Sequence, residues 1–316
     1  MASTTLTEKH TQPPHTVQMA LAPMTDPVAS ALYTWKLAHE HYENFTVVSR
    51  LVPKDLRQDF CNIYAFCRTA DDLGDEVSDT TLALQYLEDF RRQTLDCYKG
   101  QTQTAVFSAL SGTIKRHDIP IQPFLDLIDA FVQDQKIKRY ETFDQVLDYC
   151  RRSANPVGRL VLYLGGYRDA RRQELSDKIC SALQLANFWQ DVRSDILVRN
   201  RIYLPLESLR RFGVTERQIV DGKCDQNYRN LLHDAVDRAA DLFAQGKPLL
   251  PLIRPSLRVQ VSLFSQGGMA ILAAIRRINY DTLSTRPTLS NGQKLRLMMR
   301  ATAAMATSSL LRGGNP

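Results

Sequence analysis

Several features that would assign a protein to a membrane or to the exterior of the cell are missing from this sequence. Its 316 residues contain no apolar run of about 18 residues, the length that a membrane-spanning helix needs. The amino terminus is polar and lacks the apolar core of a secretory signal. These absences predict a cytoplasmic protein, with peripheral contact at the inner face of a membrane left open.

Paired cysteines and clustered histidines are missing as well. The six cysteines stand singly, with no CxxC pair, so we expect reduced thiols rather than disulfides or a zinc site. His39 and His41 are two residues apart and would point to different sides of a helix. The histidines therefore do not indicate a metal centre either.

Glycine and proline are scarce, with 14 of each, and alternating stretches of Val, Ile and Thr are almost absent. Signals for helix ends are present instead: Pro123 suits a first turn, and Thr142 and Thr215 each precede a glutamine by three residues. Gly165 and Gly222 fall where helices should end. We predict an all-α protein, with a mobile leader over residues 1–28, one helical domain over 29–296 and a terminal helix or tail over 297–316.

Basic residues outnumber acidic ones, 40 to 34, which gives a net charge of +6. This balance is compatible with nucleic acid, an anionic membrane or a phosphorylated small molecule as partner. The basic residues include five Arg-Arg pairs on separate predicted helices, without the aromatic clustering of a nucleic-acid surface. We interpret them as solvated helix faces, and a non-enzymatic helical binding scaffold is a distant alternative.

The first informative feature is a pair of aspartates on a helical stripe that should be apolar. At about 100° per residue, Phe60, Tyr64, Cys67, Asp71 and Asp75 fall within an arc of about 80°. Asp71 and Asp75 are four residues apart, so both carboxylates project from one face within reach of a shared ion. A stripe that begins as a core-facing one thus ends in carboxylates.

A second stripe repeats this arrangement further along the chain. Gln184, Asn187, Phe188, Asp191 and Asp195 occupy an arc of about 100°. Buried carboxylates without a partner are costly and repel each other, so each pair needs a cation. Mg²⁺ is the natural partner, because it takes hard oxygen ligands and bridges carboxylates to substrate phosphates.

The alternative is that each pair lies on an ordinary solvated helix face with arginines beside it. Two pairs that both continue stripes of Tyr, Asn, Gln or Phe favour the metal interpretation. Two such helices facing each other would make an aromatic cavity with a metal-lined mouth. That arrangement suits the removal of diphosphate from a long hydrocarbon and the protection of the resulting carbocation.

The same motifs are similar to those of a known family. The run YAFCRTADDLGDE (Tyr64–Glu76) resembles the first aspartate-rich motif of the squalene and phytoene synthase family, and QLANFWQDVRSDILVRNRIYLP (Gln184–Pro205) resembles the second. The resemblance, from His39 to Arg286, implies an isoprenoid-synthase fold around a central cavity and Mg²⁺-dependent action on farnesyl or geranylgeranyl diphosphate. It also implies that several Mg²⁺ ions are bound by Asp71, Asp75, Asp191 and Asp195 with help from Asn187, and that the cavity wall or the diphosphate is contacted by Tyr64, Arg68, Gln184 and Arg201.

Three details resemble one branch of this family, the hydroxysqualene synthases of bacterial hopanoid pathways. In His41-Tyr-Glu-Asn44-Phe45, head-to-head synthases usually have a serine before the phenylalanine. The run YCRRSANPVG, from Tyr149, stands where they usually read Ala-Gly-x-Val-Gly, and Phe188-Trp-Gln-Asp191 stands where an arginine usually precedes the aspartate. Loss of a serine and an arginine weakens the case for holding two diphosphates, and one is enough for presqualene diphosphate.

The resemblance therefore predicts conversion of presqualene diphosphate and water to hydroxysqualene and diphosphate, in squalene and hopanoid biosynthesis. The runners-up are synthesis of squalene, or of presqualene diphosphate alone, from two farnesyl diphosphates. No glycine-rich dinucleotide motif follows a predicted strand, which favours capture by water over hydride from NADPH. Asn155, Asn44 or Tyr149 would orient that water, with helix packing or capping as the alternative role of each.

The remaining candidates lie toward the chain ends. Tyr280 and Arg286 match family positions near the phosphate, with loop or surface roles as the alternative. Arg50 would lie near the same mouth, although a solvated helix position is the favoured interpretation. The C-terminal run with Lys294, Arg296 and Arg300 would rest on an anionic membrane or pack as a terminal helix, and companion enzymes of the pathway are further expected partners.

Overall fold

The computed structural model describes residues 15–40, 52–290 and 292–293. Within these residues there is no β-strand, and two isolated bridges join Pro23 to Thr104 and Arg139 to Ile202. The all-α prediction is confirmed. The helices are α1 His15–Ala20, α2 Pro27–Glu40, α3 Arg57–Asp75, α4 Thr80–Tyr98, α5 Ala105–His117, α6 Gln122–Lys136, α7 Phe143–Ser153, α8 Asn155–Leu164, α9 Ala170–Arg199, α10 Leu206–Phe212, α11 Glu216–Val220, α12 Gln226–Gly246 and α13 Pro255–Arg277, with 3₁₀ helices at Lys54–Leu56 and Lys247–Leu252.

The helix-end signals fall where the sequence indicates. The Thr142 hydroxyl accepts a hydrogen bond from the backbone N–H of Gln145 at 3.3 Å and so caps α7. The Thr215 hydroxyl does the same for α11, accepting from the Gln218 N–H at 3.1 Å. These bonds satisfy N–H groups that have no partner inside the helix. Gly222, with φ of 71°, follows α11 in a left-handed conformation that glycine adopts without strain.

The described residues belong to two compact units, the first drawn from Met1–Thr46 and Asp55–Lys136 and the second from Val47–Lys54 and Ile137–Pro316. In the first unit, α3 packs against α2, α4, α5 and α6. Its centre is formed by four fully buried rings, those of Phe66, Phe90, Phe107 and Phe124. The centroid of the Phe66 ring lies 4.9 Å from that of Phe90 and 4.8 Å from that of Phe124. Each buried ring contributes about 1.5–3 kcal/mol of hydrophobic stabilisation, and together they fix α3.

A buried carboxylate holds the start of α3. Asp59 is 1% exposed and accepts hydrogen bonds from the Arg116 guanidinium at 2.8 and 3.0 Å and from the Thr113 hydroxyl at 2.8 Å. His117 Nε2 lies 2.9 Å from its other oxygen. Because all three partners come from α5, this network fixes the orientation of α3 relative to α5.

The described part of the predicted leader contains a short helix. Residues His15–Ala20 form α1, and Val17 and Ala20 are fully buried. The Met24 N–H donates to the Gln103 carbonyl at 2.8 Å, and the Ser108 hydroxyl donates to the Met24 carbonyl. Apolar burial and backbone hydrogen bonds therefore hold a stretch that its Thr, Gln and Pro content did not mark as structured. The predicted boundary at 296/297 lies outside the described residues.

In the second unit, the 30-residue helix α9 is central and packs against α7, α8, α11, α12 and α13. Asp169 caps its start, with a side chain that accepts a hydrogen bond from the Arg172 N–H. Asn200 follows its last residue in a left-handed conformation. Gly158 lets α8 approach closely, because a Cβ there would collide with Ser176 and Cys180 of α9. Of the helices in the described ranges, none is long and apolar enough to cross a membrane.

Candidate active site

The first carboxylate pair lies on the last turns of α3. Asp71 and Asp75 are both half-buried, as are Phe60, Tyr64 and Cys67 of the same stripe. Phe60 and Tyr64, where the stripe begins, pack against the small buried cluster of Ala38 and Cys61 without being fully buried themselves. The core of the first unit takes the neighbouring face of α3, so the stripe is a partly accessible surface that ends in two carboxylates.

Arg68 connects the acidic residues at the end of α3. Its guanidinium lies 2.5 Å from the Asp72 carboxylate, 3.0 Å from Glu76 and 3.5 Å from Asp71. Burial lowers the pKa of Arg68, but the charges of Asp72, Asp71 and Glu76 outweigh that effect and raise the pKa above its usual value. Arg68 is therefore a fixed cation at the base of the first pair.

The three aspartates of this run have different surroundings. Asp72 is 2% exposed, whereas 44% of the Asp71 side chain is accessible. Burial, together with the carboxylates of Asp72 and Glu40, raises the pKa of Tyr33 to about 12. Asp72 thus belongs to the interior of the first unit, and Asp71 and Asp75 remain the accessible pair.

Tyr64 lies one turn before Arg68 on the same stripe. Its ring packs, with Trp35 and Phe60, against a small cluster formed by Ala38 and Cys61. The apolar part of the predicted stripe therefore does exist, and it adjoins the acidic part on one helix.

The second carboxylate pair lies near the end of α9. Asp191 has a side chain that is 23% exposed, and both of its oxygens are engaged by Arg286, with Nε to Oδ1 at 2.5 Å and Nη2 to Oδ2 at 3.0 Å. Asp195 is more buried, and Arg199 lies 3.8 Å from its carboxylate. The hydrogen bond to Asp191 raises the pKa of Arg286, which stays a cation. The resemblance matches Arg286 to a position near the phosphate, and the structure brings it to the second aspartate pair.

A stack of aromatic rings lies beside this pair. The rings of Phe188 and Tyr203 are 3.7 Å apart and nearly parallel, and Tyr149 stacks on Tyr203 at 5.5 Å. Tyr140 completes the group, 5.8 Å from Tyr203. All four rings are at least nine-tenths buried. Phe188 lies one turn before Asp191, so on α9 a buried aromatic stack adjoins a carboxylate.

The other predicted site residues of the second unit are spread over α8, α9 and the segments that follow α9 and α13. Asn155, at the start of α8, is buried, and its carbonyl accepts from the Ser181 hydroxyl at 2.9 Å. Gln184, two turns before Asp191, is half-buried, and Asn187, one turn before it, is exposed. Arg201 is buried, and its N–H donates to the Asp195 carbonyl at 3.0 Å. Tyr280 packs edge-on against His233 of α12, with centroids 5.1 Å apart, rather than beside Asp191.

Four predicted residues, His41, Asn44, Phe45 and Arg50, lie outside the described residues. Sequence reasoning also missed residues that the structure brings to the second pair. Tyr140 and Tyr203 belong to the aromatic stack, and Arg193, together with the Gln190 noted in the second motif, binds the segment that carries Arg286. Tyr203 lies within the second aspartate-rich motif, but an isolated loop tyrosine carries no signal of its own.

The donor set fits magnesium with a phosphorylated substrate. Within the described ranges, no three side chains of Asp, Glu, His or Cys converge as a ready-made metal site. Each helix instead offers two carboxylates at i and i+4, partly accessible at Asp71, Asp75 and Asp191. Mg²⁺ is commonly held by one or two carboxylates, with waters and substrate phosphates completing its shell. The flanking arginines Arg68 and Arg286 supply the positive charge that a diphosphate needs.

Comparison with protein families gives one match that covers most of the chain. The profile described as Squalene/phytoene synthase matches residues 38–293. A hydroxysqualene synthase from Sinorhizobium fredii is 32% identical over 275 residues, which cover 85% of this chain and 90% of that protein. A phytoene synthase from Arthrospira platensis is 29% identical over 273 residues, which cover 82% of this chain and 88% of that protein.

Solved structures show the same relationship. The squalene synthase HpnC from Alicyclobacillus acidocaldarius is 41% identical, with a TM-score of 0.77 over 81% of this chain and 97% of that chain. A dehydrosqualene synthase bound to a ligand is 25% identical, with a TM-score of 0.81 over 89% of this chain and 98% of that chain. The expected isoprenoid-synthase fold is confirmed by these two structures.

Proposed function

Since this chain belongs to the squalene and phytoene synthase family, a family of enzymes that act on isoprenoid diphosphates, we propose that it is a hydroxysqualene synthase. In the proposed reaction, presqualene diphosphate and water give hydroxysqualene and diphosphate. The similarity to named hydroxysqualene synthases and to HpnC supports this branch, although phytoene synthases are similar as well.

One observation carries the choice of branch. Gln190 stands directly before Asp191, where head-to-head synthases usually have an arginine. It is 6% exposed, and its amide donates to the Pro287 carbonyl at 2.5 Å. A neutral side chain that is committed to the protein backbone offers no charge to a second diphosphate. This favours a substrate with a single diphosphate, as presqualene diphosphate has.

Each acidic pair has a defined task in the proposal. Asp71 with Asp75, and Asp191 with Asp195 and Asn187, hold magnesium, which when bound neutralises the charge that develops on the leaving diphosphate. Arg68 lies against the first pair and Arg286 against the second, so each pair has a cation beside it. These groups favour cleavage of the C–O bond, with its electron pair leaving on the diphosphate.

The aromatic stack has the next task. Loss of diphosphate leaves a cyclopropylcarbinyl cation, and the faces of Tyr149, Phe188 and Tyr203 are negative surfaces that stabilise a cation. Water then supplies its oxygen to the rearranged cation and loses one proton to the medium or to the released diphosphate. Tyr149 and Asn155 are the described candidates to orient that water, and the side-chain carbonyl of Asn155 is itself positioned by the Ser181 hydroxyl.

The proposal is tested by product analysis. The protein is incubated with Mg²⁺ and either presqualene or farnesyl diphosphate, with and without NADPH, and the extracted lipid is identified by mass spectrometry. We expect hydroxysqualene from presqualene diphosphate without NADPH. Squalene from farnesyl diphosphate and NADPH would support the runner-up instead.

Asp75→Asn and Asp191→Asn should abolish diphosphate release and leave the circular dichroism spectrum unchanged.

A further inference from the structure

The segment 283–287, which we call the strap, is bound to α9 at three points. Arg193 Nη1 donates to the Leu283 carbonyl at 3.1 Å, and Gln190 Nε2 donates to the Pro287 carbonyl at 2.5 Å. Between them, Arg286 makes its paired hydrogen bonds to Asp191. The Arg286–Asp191 contact therefore uses a carboxylate that the proposed function assigns to the metal. The contacts of Arg193 and Gln190 with the strap use no proposed metal ligand.

The two partners of the middle contact differ in their freedom to move. The Arg286 side chain is 56% exposed, whereas that of Asp191, on a long packed helix, is 23% exposed. A guanidinium pair occupies both carboxylate oxygens and leaves little of the carboxylate for another cation. An ion that takes the carboxylate face now occupied by the guanidinium must therefore displace Arg286, and Arg286 is the partner that can swing away.

We propose that Arg286 is a placeholder cation, which holds Asp191 while the site is empty and moves to a diphosphate oxygen when a divalent metal takes the carboxylate. This inference rests on the proposed function. Gln190 and Arg193 are positioning residues, since their bonds to the strap survive the exchange and keep Arg286 within reach of the site.

The exchange couples the two ligands of the site. Metal alone must displace Arg286 without compensation, so it binds weakly. A diphosphate gives the released guanidinium a new anionic partner, so it strengthens metal binding, and by linkage the metal strengthens diphosphate binding to the same degree. Arg286 thereby favours binding of the metal together with the substrate.

The experiment measures Mn²⁺ binding by electron paramagnetic resonance, with and without farnesyl thiodiphosphate, in the wild type and in Arg286→Gln. Arg276→Gln is the matched control, because Arg276 forms a comparable surface pair with Asp237 at 2.8 Å. Loss of an exposed ion pair should make Arg286→Gln bind Mn²⁺ alone about threefold tighter than the wild type. The strengthening by the thiodiphosphate should shrink in this variant and stay unchanged in Arg276→Gln. Arg286→Lys, which keeps the charge without the paired geometry, should lie between.

The outcomes separate the inference from the proposed function. If the wild type and Arg276→Gln show coupled binding, and Arg286→Gln shows the same affinity for Mn²⁺ alone and the same coupling, the placeholder role is wrong and the proposed function stands. If Arg286→Gln binds Mn²⁺ alone more weakly than the wild type, Arg286 assists the metal and the inference is likewise overturned. If the wild type binds no Mn²⁺ even with the thiodiphosphate, both the inference and the proposed metal chemistry fail. Thermal unfolding of each variant checks that it is folded.

Discussion

At the scale of single residues, the run Asp71-Asp72-Leu73-Gly74-Asp75 contains aspartates with two different roles. Asp72 is buried and lies 2.5 Å from the Arg68 guanidinium, which makes it part of the interior. Asp71 is 44% exposed on the half-buried stripe that also carries Asp75. Asp71 and Asp75 are therefore the accessible pair. Asp72, which lies between them in the sequence, stabilises the helix that carries both.

This division predicts opposite phenotypes for adjacent substitutions. Asp72→Asn removes the charge that balances a partly buried arginine, and we expect the free energy of unfolding to fall by about 2 kcal/mol. Asp71→Asn should change it by less than about 0.5 kcal/mol, yet it should strongly reduce metal-dependent diphosphate release. Urea unfolding and a diphosphate-release assay measure the two effects. A stable Asp72→Asn beside an unfolded Asp71→Asn would reverse the assignment.

At the scale of elements, the end of α3 is fixed by its contact with α6. A Cβ on Gly74 would lie 3.1 Å from two atoms of Phe131, and the Gly74 carbonyl accepts from Gln135 at 2.6 Å. The last turn of α3, which carries both Asp71 and Asp75, thus packs directly on α6. The position of Asp71 and Asp75 therefore depends on glycine at position 74, which has no side chain to push α3 away from α6.

Two glycine substitutions in helices of the first unit test that contact. Gly74→Ala should lower the free energy of unfolding by about 1–3 kcal/mol, because the added methyl overpacks against a ring close to its backbone. Gly112→Ala, in α5 with nothing within 4 Å of the added Cβ, should raise it by about 0.5–1 kcal/mol. Differential scanning calorimetry gives both values. Equal effects of the two substitutions would mean that α3 and α6 are not packed tightly there.

The sequence was sufficient for the elements that carry the site and insufficient for their long-range partners. Helical periodicity predicted that Asp71 and Asp75, and Asp191 and Asp195, share helix faces, since that information is local. It could not predict that Arg286 reaches Asp191 across 95 positions or that Tyr203 stacks on Phe188, because these contacts depend on how loops return to α9. The burial of Asp72 could not be predicted for the same reason, since the helices that pack on α3 decide which of its faces is covered.

At the scale of the whole molecule, many of the basic residues behind the net charge of +6 are engaged in ion pairs on separate helices. Arg92 pairs with Asp89, Arg151 with Asp148 and Arg276 with Asp237, each on exposed surface. Pairs of this kind are screened and contribute little to stability. This agrees with the interpretation of the Arg-Arg pairs as solvated faces, and the binding-scaffold alternative gains no support from it.

The cysteines offer a test of the whole fold. All six are free thiols, and burial is the main cause that raises the pKa of each, to about 12 for Cys61, Cys67 and Cys180 and about 11 for Cys97 and Cys224. Since the thiolate is the reactive form, Ellman's reagent at neutral pH should label the native protein about two orders of magnitude more slowly than the urea-unfolded protein. A thiol that reacts at the unfolded rate in the native state would show that this part of the chain is open.

The central claim is that the protein ionises presqualene diphosphate and captures the rearranged cation with water. Isotope labelling tests it most directly: presqualene diphosphate and Mg²⁺ are supplied in H₂¹⁸O without NADPH, and the lipid product is analysed by mass spectrometry. We predict hydroxysqualene that carries one ¹⁸O atom from solvent, with no such product from Asp191→Asn. An alcohol whose oxygen comes from the substrate, or a product that contains no oxygen, would contradict the account.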